Sequence, residues 1–70
     1  MPPNPTALRI SRSTGRSYHE VRRALNRLIY IGEWTPTQAT EFVEKGARSG
    51  ADVEALADAA LASNQDKSST

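Results

Sequence analysis

Between Arg12 and Arg27 the sequence concentrates side chains that recognise anions. Arg12, Arg16, Arg22, Arg23 and Arg27 supply guanidinium groups, and Ser17, Tyr18, His19 and Asn26 lie among them. A guanidinium presents a planar fork of N–H donors that fits a phosphate or the paired acceptors of guanine, and Asn and Ser complement it at base edges. The chemistry such a set performs is binding a polyanion, not breaking bonds. The remaining candidates for catalysis fail on spacing. Ser17 and His19 are two residues apart and do not face each other on a helix. Asp52, Glu54 and Asp58 follow a regular helical pattern and read as solvated. The stretch from Gly46 to Gly50 lacks the Lys-Ser ending and the preceding strand of a phosphate loop. With one histidine and no cysteine, no disulfide framework, thiolate centre or multi-imidazole metal site is expected. We expect no cofactor, no small-molecule substrate and no enzyme in a chain of 70 residues.

Charge is unevenly distributed around these residues. Residues 1–35 carry six arginines against Glu20 and Glu33, leaving four net positive charges. Residues 36–70 carry Lys45, Arg48 and Lys67 against six carboxylates, leaving three net negative charges. This asymmetry points either to a polyanion at the basic half or to mutual attraction of the halves within one fold, through Asp52, Glu54 or Asp58. The longest run of large apolar residues, Leu28-Ile29-Tyr30-Ile31, is far short of a bilayer span. The N-terminal prolines leave no charged and apolar leader, so the cytoplasm is the default location. An Arg- and Ala-rich chain of this length is compatible with a phage-encoded protein.

Helices must position the candidates. Residues 1–5, Met-Pro-Pro-Asn-Pro, read as an extended arm, and residues 63–70 as a polar, disordered tail. A single helical domain is expected between them, over 6–62. Thr6 to Thr14 reads as a short helix, capped by Thr6 and ended by Gly15, although Leu8 and Ile10, two residues apart, fit a strand or an arm as well. Ser17 and Glu20 have the spacing of a capping box, and Val21, Leu25, Leu28 and Ile29 form one apolar stripe of a basic helix over 17–31, stopped by Gly32. Thr35-Pro36-Thr37-Gln38 predicts a second capping box, followed by the apolar face Ala39, Phe42, Val43 and Ala47 and an end between Gly46 and Gly50. Ala51 to about Ala62 gives a last helix with the stripe Val53, Leu56, Ala57, Ala60 and Leu61, its first turn carrying Asp52 and Glu54. No segment alternates as a strand does.

The expected class is all-α, a small domain of three to four helices with a helix-turn-helix-like N-terminal half. Its expected core is Ile10, Val21, Leu25, Leu28, Ile29, Trp34, Phe42, Val43, Val53, Leu56 and Leu61. Tyr30 and Ile31 fall off the main stripe, so a cover is needed. The third helix is the expected cover, with another chain as the alternative.

The segment Gly15-Arg16-Ser17-Tyr18-His19-Glu20-Val21-Arg22-Arg23-Ala24-Leu25-Asn26-Arg27-Leu28 resembles the turn and recognition helix of helix-turn-helix DNA-binding proteins. It is most similar to GntR-type regulators, which read Gly-Val-Ser-Arg-x-Thr-Val-Arg-x-Ala-Leu-x-x-Leu there. Gly15, Ser17, Val21, Arg22, Ala24, Leu25 and Leu28 match at identical spacing. The chain departs from that pattern at Arg16, where the family has an apolar residue, and at Ser11 and Thr14, where it has an alanine and a leucine. No wing follows. The resemblance implies base and phosphate contacts from Ser17, Tyr18, His19, Arg22 and Arg23, bracketed by Arg16 and Arg27, with Arg9 and Arg12 adding charge. Taken alone, these arginines also read as a solvated face, His19 as a surface residue and Tyr18 as a core-edge residue.

A second likeness lies in Tyr30-Ile31-Gly32-Glu33-Trp34, Thr35 to Ala39 and Gly50-Ala51-Asp52-Val53-Glu54-Ala55-Leu56, which is similar to a UBA-type three-helix module. That resemblance implies a protein-binding role. The expected function is a small DNA-binding regulator or accessory factor, working as a dimer. The alternative is a helical interaction or assembly module with a homodimer or protein partner at Tyr30, Ile31 and Trp34. Neither involves a membrane.

Overall fold

Four amphipathic stretches in sequence become four helices. The computed structural model describes residues 4–68, with side chains for residues 4–63. The helices are α1 (Pro5–Thr14), α2 (Tyr18–Asn26), α3 (Pro36–Arg48) and α4 (Val53–Ser68), and a π-helical turn over Arg27–Ile31 continues α2. Among the described residues there is no strand, so the domain is all-α as expected. The centre of the arrangement is α2, on which α1, α3 and α4 all pack.

Local chemistry sets each helix start. α1 begins earlier than the sequence suggested, because Asn4 and not Thr6 is its cap. The Asn4 Oδ1 accepts from the amides of Thr6 and Ala7 at 3.0 and 3.2 Å, and Pro5 occupies the first helical position, where its missing N–H costs nothing. The end of the supposed arm is therefore helix; residues 1–3 lie outside the described residues. α3 carries the expected capping box. The Gln38 amide donates to Thr35 Oγ1 at 3.2 Å and the Thr35 amide to Gln38 Oε1 at 3.3 Å. The helix ends at Arg48, inside the expected window. α4 starts at Val53, two residues later than expected, because Asp52 caps it and accepts from the amides of Glu54 and Ala55. Its backbone stays helical to Ser68, past Ala62, and so overlaps the supposed tail, whose last two residues lie outside the described ones.

Small residues fill much of the core. Ile10, Val21, Leu25, Leu28, Val43 and Val53 are buried as expected, but so are Ala7, Ala24, Ala39, Ala47 and Ala57. Alanine at these crossings lets helix backbones approach closely. Ile29, Trp34, Phe42 and Leu61 border this cluster half-buried. The expected core residue Leu56 is only half-buried and lies over Gly46 of α3.

The C-terminal end of the α2 region departs most from expectation. The α-helix stops at Asn26, and the Gly32 amide reaches back to the Arg27 carbonyl at 3.1 Å, a wider turn than an α-helix makes. That wide turn keeps Leu28 inside and carries Tyr30 and Ile31 outward, where they are 77% and 65% exposed. The third helix does not cover them. Gly32 does not end the helix by left-handed geometry either: its φ is −83°, and Glu33 takes the left-handed conformation at φ 58°. Glycine is required at 32 by space, since a Cβ there would lie 2.6 Å from Leu61 Cδ2 and 2.9 Å from the Leu28 carbonyl oxygen.

Candidate nucleic-acid interface

The three-residue connection Gly15-Arg16-Ser17 joins α1 to α2. Gly15 adopts φ 78°, as the tight turn requires, and its amide donates to the Ser11 carbonyl at 2.9 Å. Ser11 and Thr14, the residues that depart from the helix-turn-helix pattern, hold this turn by hydrogen bonds. The Ser11 hydroxyl donates to the Arg16 carbonyl at 2.6 Å. The Thr14 hydroxyl donates to the Ile10 carbonyl at 2.6 Å and accepts from the Arg16 amide at 3.4 Å. The expected capping box of Ser17 with Glu20 is not formed: Ser17 occupies the N-cap position, exposed, with no hydrogen bond from its side chain to the cap. The turn is braced by Ser11 and Thr14 from the α1 side, while Ser17 leaves the start of α2 without a side-chain cap.

The expected site residues separate into three environments. His19, Arg22 and Asn26 form an outward arc of α2, within about 60° of one another around the helix axis. His19 and Arg22 are exposed and Asn26 is half-buried. Among the described residues Arg22 makes no ion pair, and neither does Arg12, which lies in the last turn of α1 beside Pro5, Leu8, Arg9 and Ser13.

Arg23 and Arg27 instead line the seam with α4. Arg23 Nε lies 2.9 Å from Glu54 Oε1, and Arg27 Nη1 lies 2.6 Å from Asp58 Oδ1. The attraction between the halves that the charge split suggested is therefore present, and these two arginines are not free as expected. A third bridge ties α1 to α3, with Glu44 Oε2 taking Arg9 at 3.3 Å and Arg48 at 2.9 Å.

Arg16 and Tyr18 serve the fold. The Arg16 Nη2 donates to the Gly50 carbonyl at 3.0 Å and also to the Ala51 carbonyl, so its guanidinium holds the α3–α4 connection and does not stand out as a backbone bracket. Its Nε is buried without a partner. The Tyr18 hydroxyl accepts from the Asn4 amide at 3.0 Å, and its ring packs on the core, edge-on to His19 at 5.4 Å between centroids. Trp34, expected at a partner surface, packs edge-on against Phe42 at 5.2 Å.

Sequence reasoning passed over Asn4, whose place before Pro5 is its one signal as a cap. It also passed over the matched i, i+4 spacing of Arg23 and Arg27 with Glu54 and Asp58. No group of three His, Cys, Asp or Glu side chains among the described residues is placed to hold a metal ion. No helix among them is long and apolar enough to cross a membrane. Comparisons with family models, with curated proteins and with solved structures find no match to this chain.

Proposed function

We propose that this chain binds DNA through the outward arc of α2, as a small non-enzymatic regulator or accessory factor. One observation carries the reading: a glycine-pivoted turn between two packed helices presents Arg22, exposed and unpaired among the described residues, flanked by His19 and Asn26. A helix-turn-helix uses the start of its second helix at base edges while neighbouring cations meet phosphates. In this reading Ser17 and Arg12 add to the contact, and Arg23 and Arg27, now paired with Glu54 and Asp58, stand farther round the helix. A single short helix gives little affinity, so two copies acting together belong to the reading. It carries a cytoplasmic location and needs no cofactor.

Titration of a mixed-sequence duplex with the full chain, by fluorescence anisotropy at several salt concentrations, tests it. Binding should weaken steeply with salt, because neutralised phosphates release counterions. Arg22→Ala should weaken low-salt binding roughly tenfold and flatten the salt slope by about one unit, with an unchanged circular dichroism spectrum. No binding at low salt refutes the proposal.

A protein-binding role is the second reading, favoured by the outward placement of Tyr30 and Ile31. Under it, Tyr30→Ser with Ile31→Ser removes self-association or partner binding, and Arg22→Ala does not.

A further inference from the structure

Two ion pairs, one from α2 and one from the π-helical turn that continues it, meet α4 at the same interval. Arg23 and Arg27 are one helical turn apart, as are Glu54 and Asp58, so each helix separates its two charges by about 6 Å along its axis. The first pair closes at 2.9 Å and the second at 2.6 Å. Both are open to solvent, with the Arg23 and Arg27 side chains 55% and 39% exposed and Glu54 and Asp58 29% and 61% exposed. Arg23 meets its carboxylate through Nε and Arg27 through Nη1, and a guanidinium carries five N–H donors in all. Exposed pairs of this kind contribute little to stability, so removing their carboxylates should leave the fold in place.

We infer that Glu54 and Asp58 act as an intramolecular acidic brake on α2: they occupy the guanidinium groups of Arg23 and Arg27 that a nucleic-acid backbone would otherwise engage. The inference rests on the DNA-binding reading and deepens it. Arg22 makes the open contact, while Arg23 and Arg27 are withheld from phosphate as long as Glu54 and Asp58 hold them. Two carboxylates spaced along one helix also place negative charge beside any phosphate approaching that edge of α2, so they oppose binding by repulsion as well as by occupancy. The acidic half of the chain then limits the affinity of the basic half.

The test compares the full chain with Glu54→Gln/Asp58→Asn in anisotropy titrations against a short mixed-sequence duplex across a salt series. Glu33→Gln/Glu41→Gln is the control, with the same change in net charge away from the seam. Releasing both arginines should raise low-salt affinity about tenfold and steepen the salt slope by about two units, one for each further phosphate neutralised. The control should change the slope by much less. If wild type binds and Arg22→Ala weakens it, but the seam variant leaves affinity and slope unchanged or only matches the control, the brake is refuted and the DNA-binding reading stands. Absence of salt-dependent binding by wild type and seam variant alike overturns both. Circular dichroism monitors the fold; should the double variant lose helicity, Asp58→Asn alone carries the same test at the more exposed carboxylate, with a slope change of about one unit.

Discussion

The Tyr18 hydroxyl accepts a hydrogen bond from the Asn4 backbone amide at 3.0 Å, joining the first turn of α2 to the N-cap of α1. Ser11 and Thr14 hold the other end of α1 to the turn, so α1 is anchored at both of its ends. Tyr18 at the N-terminal end of α1 thus has a structural task and is not a free ring for stacking on bases. Tyr18→Phe keeps the packed ring and removes only the acceptor. It should cost about 1 kcal/mol in denaturant unfolding, because the amide it leaves is partly buried. DNA affinity, measured well below the unfolding midpoint, should not change. A loss of affinity without a loss of stability would return Tyr18 to the interface.

Arg16 offers the complementary case. Its guanidinium donates to the carbonyls of Gly50 and Ala51, so it fastens the α1–α2 turn to the α3–α4 connection. Charged hydrogen bonds to carbonyls contribute more than neutral ones, although Gly50 is exposed and its carbonyl regains water when released. Arg16→Ala should therefore destabilise the fold by about 1–2 kcal/mol. Amide exchange should quicken around Gly50 and Ala51 before it does in α2. If Arg16→Ala instead leaves the unfolding midpoint in place and lowers only DNA affinity, the clamp is not significant in solution.

Gly32 and Gly46 both lie in tight places but differ in what crowds them. A Cβ at Gly32 would meet the Leu28 carbonyl oxygen at 2.9 Å, and that carbonyl already accepts the Trp34 amide at 2.9 Å. Backbone held in this way cannot yield cheaply. A Cβ at Gly46 would lie 2.4 Å from Leu56 Cδ1, the far end of a half-buried side chain that can turn aside. Alanine at 46 also gains about 1 kcal/mol of helix propensity within α3. Gly32→Ala should thus destabilise by about 2 kcal/mol, in the range of overpacked sites, and Gly46→Ala should be close to neutral. Thermal unfolding of the two variants side by side checks the order, and a reversed order would mean that Leu56 is fixed and the Leu28 turn is soft.

Much of this was legible in the sequence wherever local chemistry decides structure. The Thr35-Pro36-Gln38 start of α3 works through neighbouring atoms alone, and it forms as read. The stripe of Val21, Leu25 and Leu28 is likewise buried as its spacing requires. Reading failed where the outcome depends on distant parts of the chain. Ser17 and Glu20 had the correct spacing for a capping box, but the turn is held by Ser11 and Thr14. The wide turn over Arg27–Ile31 has no marker in residue type; the spacing puts Tyr30 and Ile31 off the main stripe but does not show that the third helix leaves them uncovered. Ala39, Ala47 and Ala57 stand in the apolar stripes and are buried with them, whereas Ala7 and Ala24 give no signal as core, because a lone alanine suits an exposed helix face equally well. Among the site residues, the outward arc of α2 follows from helical period, whereas the capture of Arg23 and Arg27 requires α4 alongside.

Glu33 tests the backbone at the end of that wide turn. It is exposed and holds φ 58°, a left-handed conformation that costs an ordinary L-residue about 1 kcal/mol or more. Nothing among the hydrogen bonds and ion pairs of the described residues compensates through its carboxylate. Relief should follow the ease with which each residue enters that region. Glu33→Gly removes the steric penalty but increases the freedom of the unfolded chain, so the net gain should be modest, up to about 1 kcal/mol. Glu33→Asn should gain a few tenths of a kcal/mol, since asparagine tolerates left-handed backbone. Glu33→Val should lose about 1 kcal/mol or more, because a β-branched side chain crowds its own backbone there. The expected order of melting temperatures is Gly and Asn above Glu, and Val lowest. Were valine tolerated as well as asparagine, the turn would have left the left-handed region in solution.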